Sequence, residues 1–307
     1  MRELAPSLRT TIRTAPRPAR SVLRSTARAR AGPSVLSGPP ASQWQRPPAM
    51  SIVNAATPRT GSTVIGDVLA QLGLGRPAEF LNKGVMGRAH DDVGLPRPGP
   101  GERRRRLFRR ALLRDRWWVL HTIEPESLPE YLEAVTAHTT GPSGVFSLKL
   151  HWQQLQETNE RYGFDPLMLP GPVRWVHCTR RDRVAQAVSF AKAIQTGQWQ
   201  RRSDACAPVL APTPTYRDEQ IVHLYEHLGA SDQWPQFFAT HDIEPVTVVF
   251  EDLVEDFEST ARQLLIELGL PQPSVPEPHL RRQSDDVDDE WIAEFRRRHP
   301  SMAADHD

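Results

Sequence analysis

The chain has 307 residues, of which 38 are Lys or Arg and 37 are Asp or Glu, so its formal net charge is only +1. This balance predicts no nucleic-acid partner, and no run approaches the roughly 18 apolar residues of a membrane-spanning helix. The only cysteines, Cys178 and Cys206, form neither a Cys-x-x-Cys pair nor a disulfide framework, which favours a cytoplasmic protein without structural zinc.

Residues 1–49 differ in composition from the rest of the chain. They carry nine arginines against a single acid, Glu3, and are otherwise rich in Ala, Ser and Pro. Such a segment buries too little apolar surface to offset its chain entropy, which predicts disorder. An organelle transit peptide is one interpretation; we favour the other, in which Met50 is the true start. A single folded domain is then expected over residues 50–307.

From Met50 onward, short β-type runs alternate with helical patterns. The predicted strands are 52–56, 145–150, 173–178 and 246–250, and the predicted helices are 64–72, 102–116, 182–195, 217–240 and a last one that ends at Gly269. Residues 84–101 and 200–215 have the composition of loops, and a charged tail with several prolines closes the chain. Strands separated by helices predict an α/β fold, with a parallel sheet flanked by helices on both faces.

The first predicted strand leads into a helix through Arg59, Thr60, Gly61, Ser62 and Thr63. Backbone N–H groups and the helix dipole favour an anion at such a helix start. Gly61 allows close approach, the two hydroxyl groups beside it can donate, and Arg59 matches phosphate or sulfate oxygens. The lysine of a Walker A loop is absent. The pattern therefore predicts an anion-binding loop, with an ordinary capped helix as the alternative.

A second basic motif follows the third predicted strand. Arg180 lies where this strand ends, at the edge at which open α/β sheets bind ligands. Ser189, in the helix that follows, could face the same anion, although a solvated arginine cluster is an equally good interpretation. Two anion sites at neighbouring strand ends would suit a nucleotide with phosphate groups at two positions.

These motifs resemble those of the bacterial trehalose 2-sulfotransferase family. The similarity extends in order over roughly residues 51–298, and its motifs are Arg59-Thr60-Gly61-Ser62-Thr63, Pro77-Ala78-Glu79-Phe80, Arg180-Arg181-Asp182, Gln186-Ala187-Val188-Ser189, Phe250-Glu251-Asp252-Leu253, Arg282-Gln283-Ser284-Asp285 and Asp289-Glu290-Trp291. The resemblance implies a P-loop-like sulfotransferase fold that uses 3′-phosphoadenosine 5′-phosphosulfate (PAPS). No cluster of Asp, His or Cys at ligand spacing indicates a metal, so none is expected. Some members are dimers, so a homodimer is expected by analogy.

The resemblance also implies roles for individual residues. The loop from Arg59 to Thr63 would hold the 5′-phosphosulfate, and Arg180 with Ser189 would hold the 3′-phosphate. A C-terminal segment would close over the nucleotide through Arg282 and Gln283. The glutamate of the Pro-x-Glu-Phe motif, here Glu79, would be the general base, a role that suits a carboxylate within reach of an alcohol proton.

Lys149 and His151 end the second predicted strand at the same edge of the sheet. They resemble the Lys-x-His motif of cytosolic sulfotransferases, in which the histidine is the base. Lys149 would then bind the oxygens of the transferring sulfuryl group. His151 would share or replace the task of Glu79, with an ordinary surface histidine as the alternative.

Two departures from the family concern the acceptor. Pro58 replaces a glutamine that contacts sugar in the family, and Arg76 replaces an acidic sugar contact three residues before the base. Exchanging a carboxylate for a guanidinium inverts the hydrogen-bonding polarity, which predicts an acceptor other than trehalose. Phe80 and Trp152 are further candidate acceptor contacts.

The basic stretch within 102–116 is interpreted as the solvated face of an amphipathic helix, with an anionic acceptor rim or a membrane-surface patch as alternatives. The preferred hypothesis for the whole chain is transfer of a sulfuryl group from PAPS to a hydroxyl of a small-molecule, carbohydrate or glycolipid acceptor. A P-loop-type kinase and a non-catalytic nucleotide-binding module are the competing hypotheses.

Overall fold

The computed structural model describes residues 47–93, 95, 125, 127–200, 212–270, 272, 274–280 and 286–303. Almost all of the predicted disordered segment, the predicted helix over 102–116, Cys206, Arg282 and Gln283 lie outside the described residues. The division of the chain at Met50 therefore stays a prediction.

Four parallel strands form the sheet in the described part of the chain. They are β1 (Met50–Ala56), β2 (Val145–His151), β3 (Val173–Thr179) and β4 (Val246–Val249), arranged in the order β2-β1-β3-β4. Ala56 at the end of β1 is in register with His151 on one side and with Cys178 on the other. This confirms the predicted α/β class, although Phe250 begins a helix rather than ending the last strand.

The described residues outside the sheet are largely helical. The helices are α1 (Ser62–Gln71), α2 (Lys83–Asp92), α3 (Leu128–Thr139), α4 (Trp152–Tyr162), α5 (Arg183–Thr196), α6 (Asp218–Ser231), α7 (Trp234–Thr240), α8 (Phe250–Glu255), α9 (Phe257–Glu267), α10 (Asp286–Arg298) and α11 (Pro300–Ala303). No described helix is both long enough and apolar enough to cross a membrane.

Five described helices were not predicted: α2, α3, α4, α10 and α11. The segments of α2 and α10 had been expected to form a loop and a tail. Helix α2 occupies part of the expected loop over 84–101, because burial of Met86 and Ala89 in the core outweighs the poor helix propensity of its glycines. Helix α10 occupies the expected tail. Its first turn is acidic and its last turn is basic, which complements the helix dipole, and Trp291 and Phe295 pack against α5 and α6.

Alternating side chains of β1 build a core on each face of the sheet. Val53 and Ala55 face a cluster that includes residues of α2, α3, α4 and α7. Ile52 and Ala56 face the opposite cluster, which includes residues of α1 and α9. Both faces of β1 are therefore covered, as expected for a central strand of a parallel sheet.

A buried asparagine connects this core to the loop that follows β1. Asn54 donates a hydrogen bond from Nδ2 to the Ser62 carbonyl oxygen at 2.9 Å, and its Oδ1 accepts one from Cys178 Sγ at 3.1 Å. Ser62 is the first residue of α1. The asparagine thus fixes the start of α1 to the centre of the sheet.

Candidate active site

The strand order predicts a ligand-binding crevice at the carboxyl ends of β1 and β3. From β1 the chain continues to β2, toward one edge of the sheet. From β3 it continues to β4, toward the opposite edge. Open α/β sheets bind ligands where the strand order reverses in this way. The loop after β1 contains Arg59, and the loop after β3 contains Arg180. Both predicted anion-binding motifs therefore border the same crevice.

The backbone of the first loop is strained. Arg59 has φ of 70°, a left-handed conformation that is uncommon for residues other than glycine, and Gly61 has φ of 76°. A Cβ atom at Gly61 would lie 3.0 Å from Cδ2 of Phe250. Gly61 is also the N-cap of α1 and has no side chain with which to cap it. The first N–H groups of α1 are therefore available to an anion.

Gln186 holds this loop in place from helix α5. Its Nε2 donates hydrogen bonds to Thr57 Oγ1 at 2.9 Å and to the Pro58 carbonyl oxygen at 2.7 Å. Within the loop, Thr60 Oγ1 donates to the Thr57 carbonyl oxygen at 3.0 Å. These contacts maintain a strained conformation that the loop would not adopt alone.

The structure brings the two predicted anion motifs into direct contact. Arg59 Nε donates to Ser189 Oγ at 3.0 Å, and Arg180 Nη1 donates to the Arg59 carbonyl oxygen at 3.4 Å. Burial, followed by the charge of Arg180, lowers the pKa of Arg59 to about 10, against an opposing effect of Asp288. Arg59 is therefore still charged at neutral pH, and an anion bound here would relieve the repulsion between the two guanidinium groups.

Phe250 supports both halves of this basic cluster. The guanidinium carbon of Arg180 lies 4.3 Å from the centroid of the Phe250 ring, which is a cation–π contact. The same ring is the one that a Cβ atom at Gly61 would approach. Next to it, Glu251 Oε1 is 3.7 Å from Arg180 Nε. Phe250 and Glu251 belong to a motif for which the sequence analysis predicted no role. Both contact Arg180, for which a role in anion binding was predicted.

A second polar cluster surrounds Glu79. Lys149 Nζ lies 2.9 Å from Glu79 Oε1 and donates a hydrogen bond to Thr63 Oγ1 at 3.0 Å. Glu79 Oε2 accepts hydrogen bonds from Asn82 Nδ2 at 2.9 Å and from Gln154 Nε2 at 2.8 Å. One lysine thus contacts both the predicted anion-binding loop and the candidate base.

Glu79 is ionised at neutral pH. Burial alone would raise the pKa of Glu79, but the Lys149 ammonium and the donated hydrogen bonds hold it well below its ordinary value. His151 Nδ1 is 3.9 Å from Glu79 Oε2, beyond hydrogen-bonding distance. Burial, and secondarily Lys149, lowers the pKa of His151 to about 4 despite the opposing effect of Glu79. His151 is therefore neutral at pH 7.

Two of the candidate acceptor contacts, Phe80 and Trp152, belong to the same core cluster. Phe80 is fully buried and stacks on Phe146, so the structure gives its ring a packing role in the core. Trp152 packs edge-on against Trp234, with ring centroids 5.2 Å apart. Arg76 is anchored through its backbone N–H, which donates to the Thr139 carbonyl oxygen at 3.0 Å.

Asn82, Gln154 and Gln186 are site residues that the sequence analysis missed. Asn82 could have been suspected from its position three residues after Glu79, whereas Gln154 is 75 residues away from Glu79 along the chain. Gln186 belongs to a quoted motif in which only Ser189 was given a role.

Among the described residues, no group of three His, Cys, Asp or Glu side chains could hold a metal ion.

The chain is similar to several known proteins. The model of the Stf0 sulphotransferase family matches residues 51–298. The chain is 28% identical over 271 residues to trehalose 2-sulfotransferase of Mycolicibacterium smegmatis, covering 79% of this chain and 92% of that protein. It is 27% identical over 269 residues to trehalose 2-sulfotransferase of Mycobacterium tuberculosis, covering 80% and 94%. A sulfotransferase domain of the Synechococcus PCC 7002 olefin synthase matches with 17% identity and a TM-score of 0.38, over 82% of this chain and 97% of that one.

The buried neutral His151 should make stability depend on pH. The unfolded chain binds a proton at this histidine near its ordinary pKa of about 6.5, whereas the folded protein does so near 4. Between pH 6.5 and 5 the unfolded state therefore binds more protons, and stability falls as the pH falls, by about 1–2 kcal/mol in total. Urea unfolding of His151→Asn should show a correspondingly weaker pH dependence.

His241→Asn, a change at an exposed histidine, is the matched control and should retain the wild-type pH dependence. An identical loss of stability in wild type and His151→Asn over this pH range would contradict a buried neutral imidazole.

Proposed function

The chain belongs to the Stf0 sulphotransferase family, as its motifs predicted, and we propose that it transfers the sulfuryl group of PAPS to a hydroxyl group of a carbohydrate or another small-molecule acceptor. One observation carries the proposal. Lys149 Nζ contacts both Thr63 of the anion-binding loop, at 3.0 Å, and the Glu79 carboxylate, at 2.9 Å. A sulfuryl donor held by the loop would thus lie next to a base that can activate an alcohol.

The basic cluster has the composition that PAPS requires. The amino end of α1, with Ser62 and Thr63, is assigned to the 5′-phosphosulfate, and Arg180 with Ser189 to the 3′-phosphate. Arg59 belongs to the first loop, but its guanidinium donates hydrogen bonds to Ser189 Oγ and to the Trp199 carbonyl oxygen, so it contacts a residue of the proposed 3′-phosphate site. Two guanidinium groups close together suit a ligand with several negative charges.

In the proposed reaction, the acceptor oxygen forms a bond to sulfur while the bond between sulfur and the 5′-phosphate oxygen of the donor breaks. The hydroxyl proton passes to the Glu79 carboxylate, and the electron pair leaves on adenosine 3′,5′-bisphosphate. Lys149 stabilises the charge on the transferring group, and positioning with electrostatic stabilisation supplies most of the catalysis, as in phosphoryl transfer. The neutral His151 is a neighbour of the base rather than its replacement.

A carbohydrate hydroxyl is the acceptor class best supported. Two relatives are trehalose 2-sulfotransferases, which favours a sugar as the acceptor of this chain too. Pro58 and Arg76 replace residues that contact sugar in the family. Because of these two replacements, we expect the acceptor to be a compound other than trehalose. Incubating the protein with PAPS and a carbohydrate panel that includes trehalose, with products detected by mass spectrometry, tests this assignment.

The donor site can be tested through the product nucleotide. Removal of the Arg180 guanidinium in Arg180→Ala should weaken binding of adenosine 3′,5′-bisphosphate about 10–100-fold, as expected for loss of a charge-assisted contact. Arg59→Ala should weaken it at least as much, because this side chain connects the first loop to Ser189 of the proposed 3′-phosphate site. Isothermal titration calorimetry measures both effects.

Arg181→Ala is the matched control, since Arg181 is more than half exposed and pairs with Asp252 on the surface. Its affinity for the nucleotide should remain close to that of the wild type. Equal affinities in the Arg180 and Arg181 variants would rule out the proposed 3′-phosphate site.

The base assignment can be tested separately. Glu79→Gln keeps the shape of the side chain but removes its proton acceptor, so turnover should fall about 10²–10⁴-fold. Binding of adenosine 3′,5′-bisphosphate should be retained, because the Glu79 carboxylate makes no contact in the basic cluster. Glu157→Gln, at a half-exposed glutamate paired with Lys83, is the control and should remain active. Wild-type turnover by Glu79→Gln would exclude Glu79 as the base.

A further inference from the structure

Gln154 connects the candidate base to the end of strand β2. It lies in the first turn of α4 and is 8% exposed. Its Nε2 donates to Glu79 Oε2 at 2.8 Å, and its Oε1 accepts a hydrogen bond from the His151 backbone N–H at 3.1 Å. One side-chain amide thus joins the carboxylate to the backbone of the strand that carries Lys149.

The chemistry of these partners fixes which way the amide points. A glutamine side chain has one end that only accepts hydrogen bonds and one that only donates. The His151 N–H can only donate, so it requires the amide oxygen, and the amide NH₂ must then face Glu79. The His151 N–H is fixed in strand β2. It therefore keeps the NH₂ group of Gln154 directed at the Glu79 carboxylate.

The two oxygens of Glu79 consequently have different surroundings. An ionised carboxylate offers about four acceptor positions, two on each oxygen. Oε2 accepts hydrogen bonds from both Asn82 and Gln154, whereas Oε1 contacts Lys149. Among the contacts of the described residues, Oε2 is saturated and Oε1 retains one acceptor position. This position lies beside the ammonium group that also reaches Thr63.

We propose that Gln154 is a positioning residue, which together with Asn82 occupies Oε2 of Glu79 so that Oε1 takes the proton of the acceptor hydroxyl. The inference rests on the proposed role of Glu79 as the base and specifies which oxygen acts. Oε1 is the oxygen next to Lys149, so the proton is removed beside the cation that meets the sulfuryl group. Proton removal and bond formation to sulfur then occur on the same side of the carboxylate.

Gln154→Glu would replace the donor with an acceptor while keeping the size of the side chain. One oxygen of the new carboxylate could still accept from the His151 N–H, but the other would face Glu79 Oε2. Two carboxylates this close share a proton, which raises the pKa of one of them. The base would then be ionised only at a higher pH than in the wild type.

The test is the pH dependence of kcat and kcat/KM for sulfuryl transfer from PAPS. For Gln154→Glu, the acidic limb of both profiles should move upward by about one pH unit or more, and kcat at pH 7 should fall about 10-fold or more. Affinity for adenosine 3′,5′-bisphosphate should stay within about twofold of wild type, because the change leaves the basic cluster intact. Gln153→Glu, at the exposed neighbouring residue of α4, is the control and should retain the wild-type profile.

Gln154→Met provides a second variant, which removes the donor without adding a charge. It should lower kcat with little change in KM and shift the acidic limb less than Gln154→Glu does. A merely structural role would reduce the amount of folded enzyme without moving the pH profile.

Wild-type pH profiles in both Gln154 variants, together with an inactive Glu79→Gln, would overturn this inference and leave the proposed function intact. An active Glu79→Gln would instead remove the base assignment on which the inference depends.

Discussion

The contacts of the Lys149 ammonium determine the arrangement of the candidate site. This group lies between the hydroxyl of Thr63 and the carboxylate of Glu79, and both side chains of the ion pair are largely buried. Removing two charges from water is costly unless further hydrogen bonds accompany the pair. Asn82 and Gln154 supply them on the carboxylate side, and Thr63 on the ammonium side. The cation that keeps Glu79 ionised is therefore the one that a sulfuryl group on the loop would meet.

The sheet accounts for how Lys149 reaches both partners. In the register of β1 and β2, Lys149 is opposite Asn54, the residue that anchors the start of α1. On the other side of the strand, the Lys149 backbone N–H donates to the Ala78 carbonyl oxygen at 3.1 Å, next to Glu79. Lys149 thus makes two contacts near the candidate base. Its backbone binds the segment that contains Glu79, and its side chain binds the Glu79 carboxylate. This is possible because β2 is an edge strand of the described sheet, so its outer side can pair with the backbone next to Glu79.

The sequence predicted the parts of the site that depend on local pattern. Hydrophobic runs located the strands, and their ends located Arg59, Lys149 and Arg180, because parallel strands end at a common edge. Gln154 was not predictable in the same way, since its role depends on how α4 packs against a loop 75 residues earlier in the chain. Helix α2 was missed because its glycines give the segment a low helix propensity. The helix is stabilised instead by buried tertiary contacts, which propensities do not include.

The proximity of Arg59 and Arg180 adds an electrostatic cost to the backbone strain of the first loop. Arg59 adopts a left-handed backbone conformation, and Gln186 holds the preceding residues in place. In this position the Arg59 side chain reaches Ser189, at the cost of lying close to a second guanidinium. The backbone strain and the repulsion between the two guanidinium groups both exist in the protein without ligand. A bound anion with several charges would remove the repulsion. At the proposed donor site, this repulsion would therefore increase the difference in affinity between a doubly phosphorylated nucleotide and a singly charged anion.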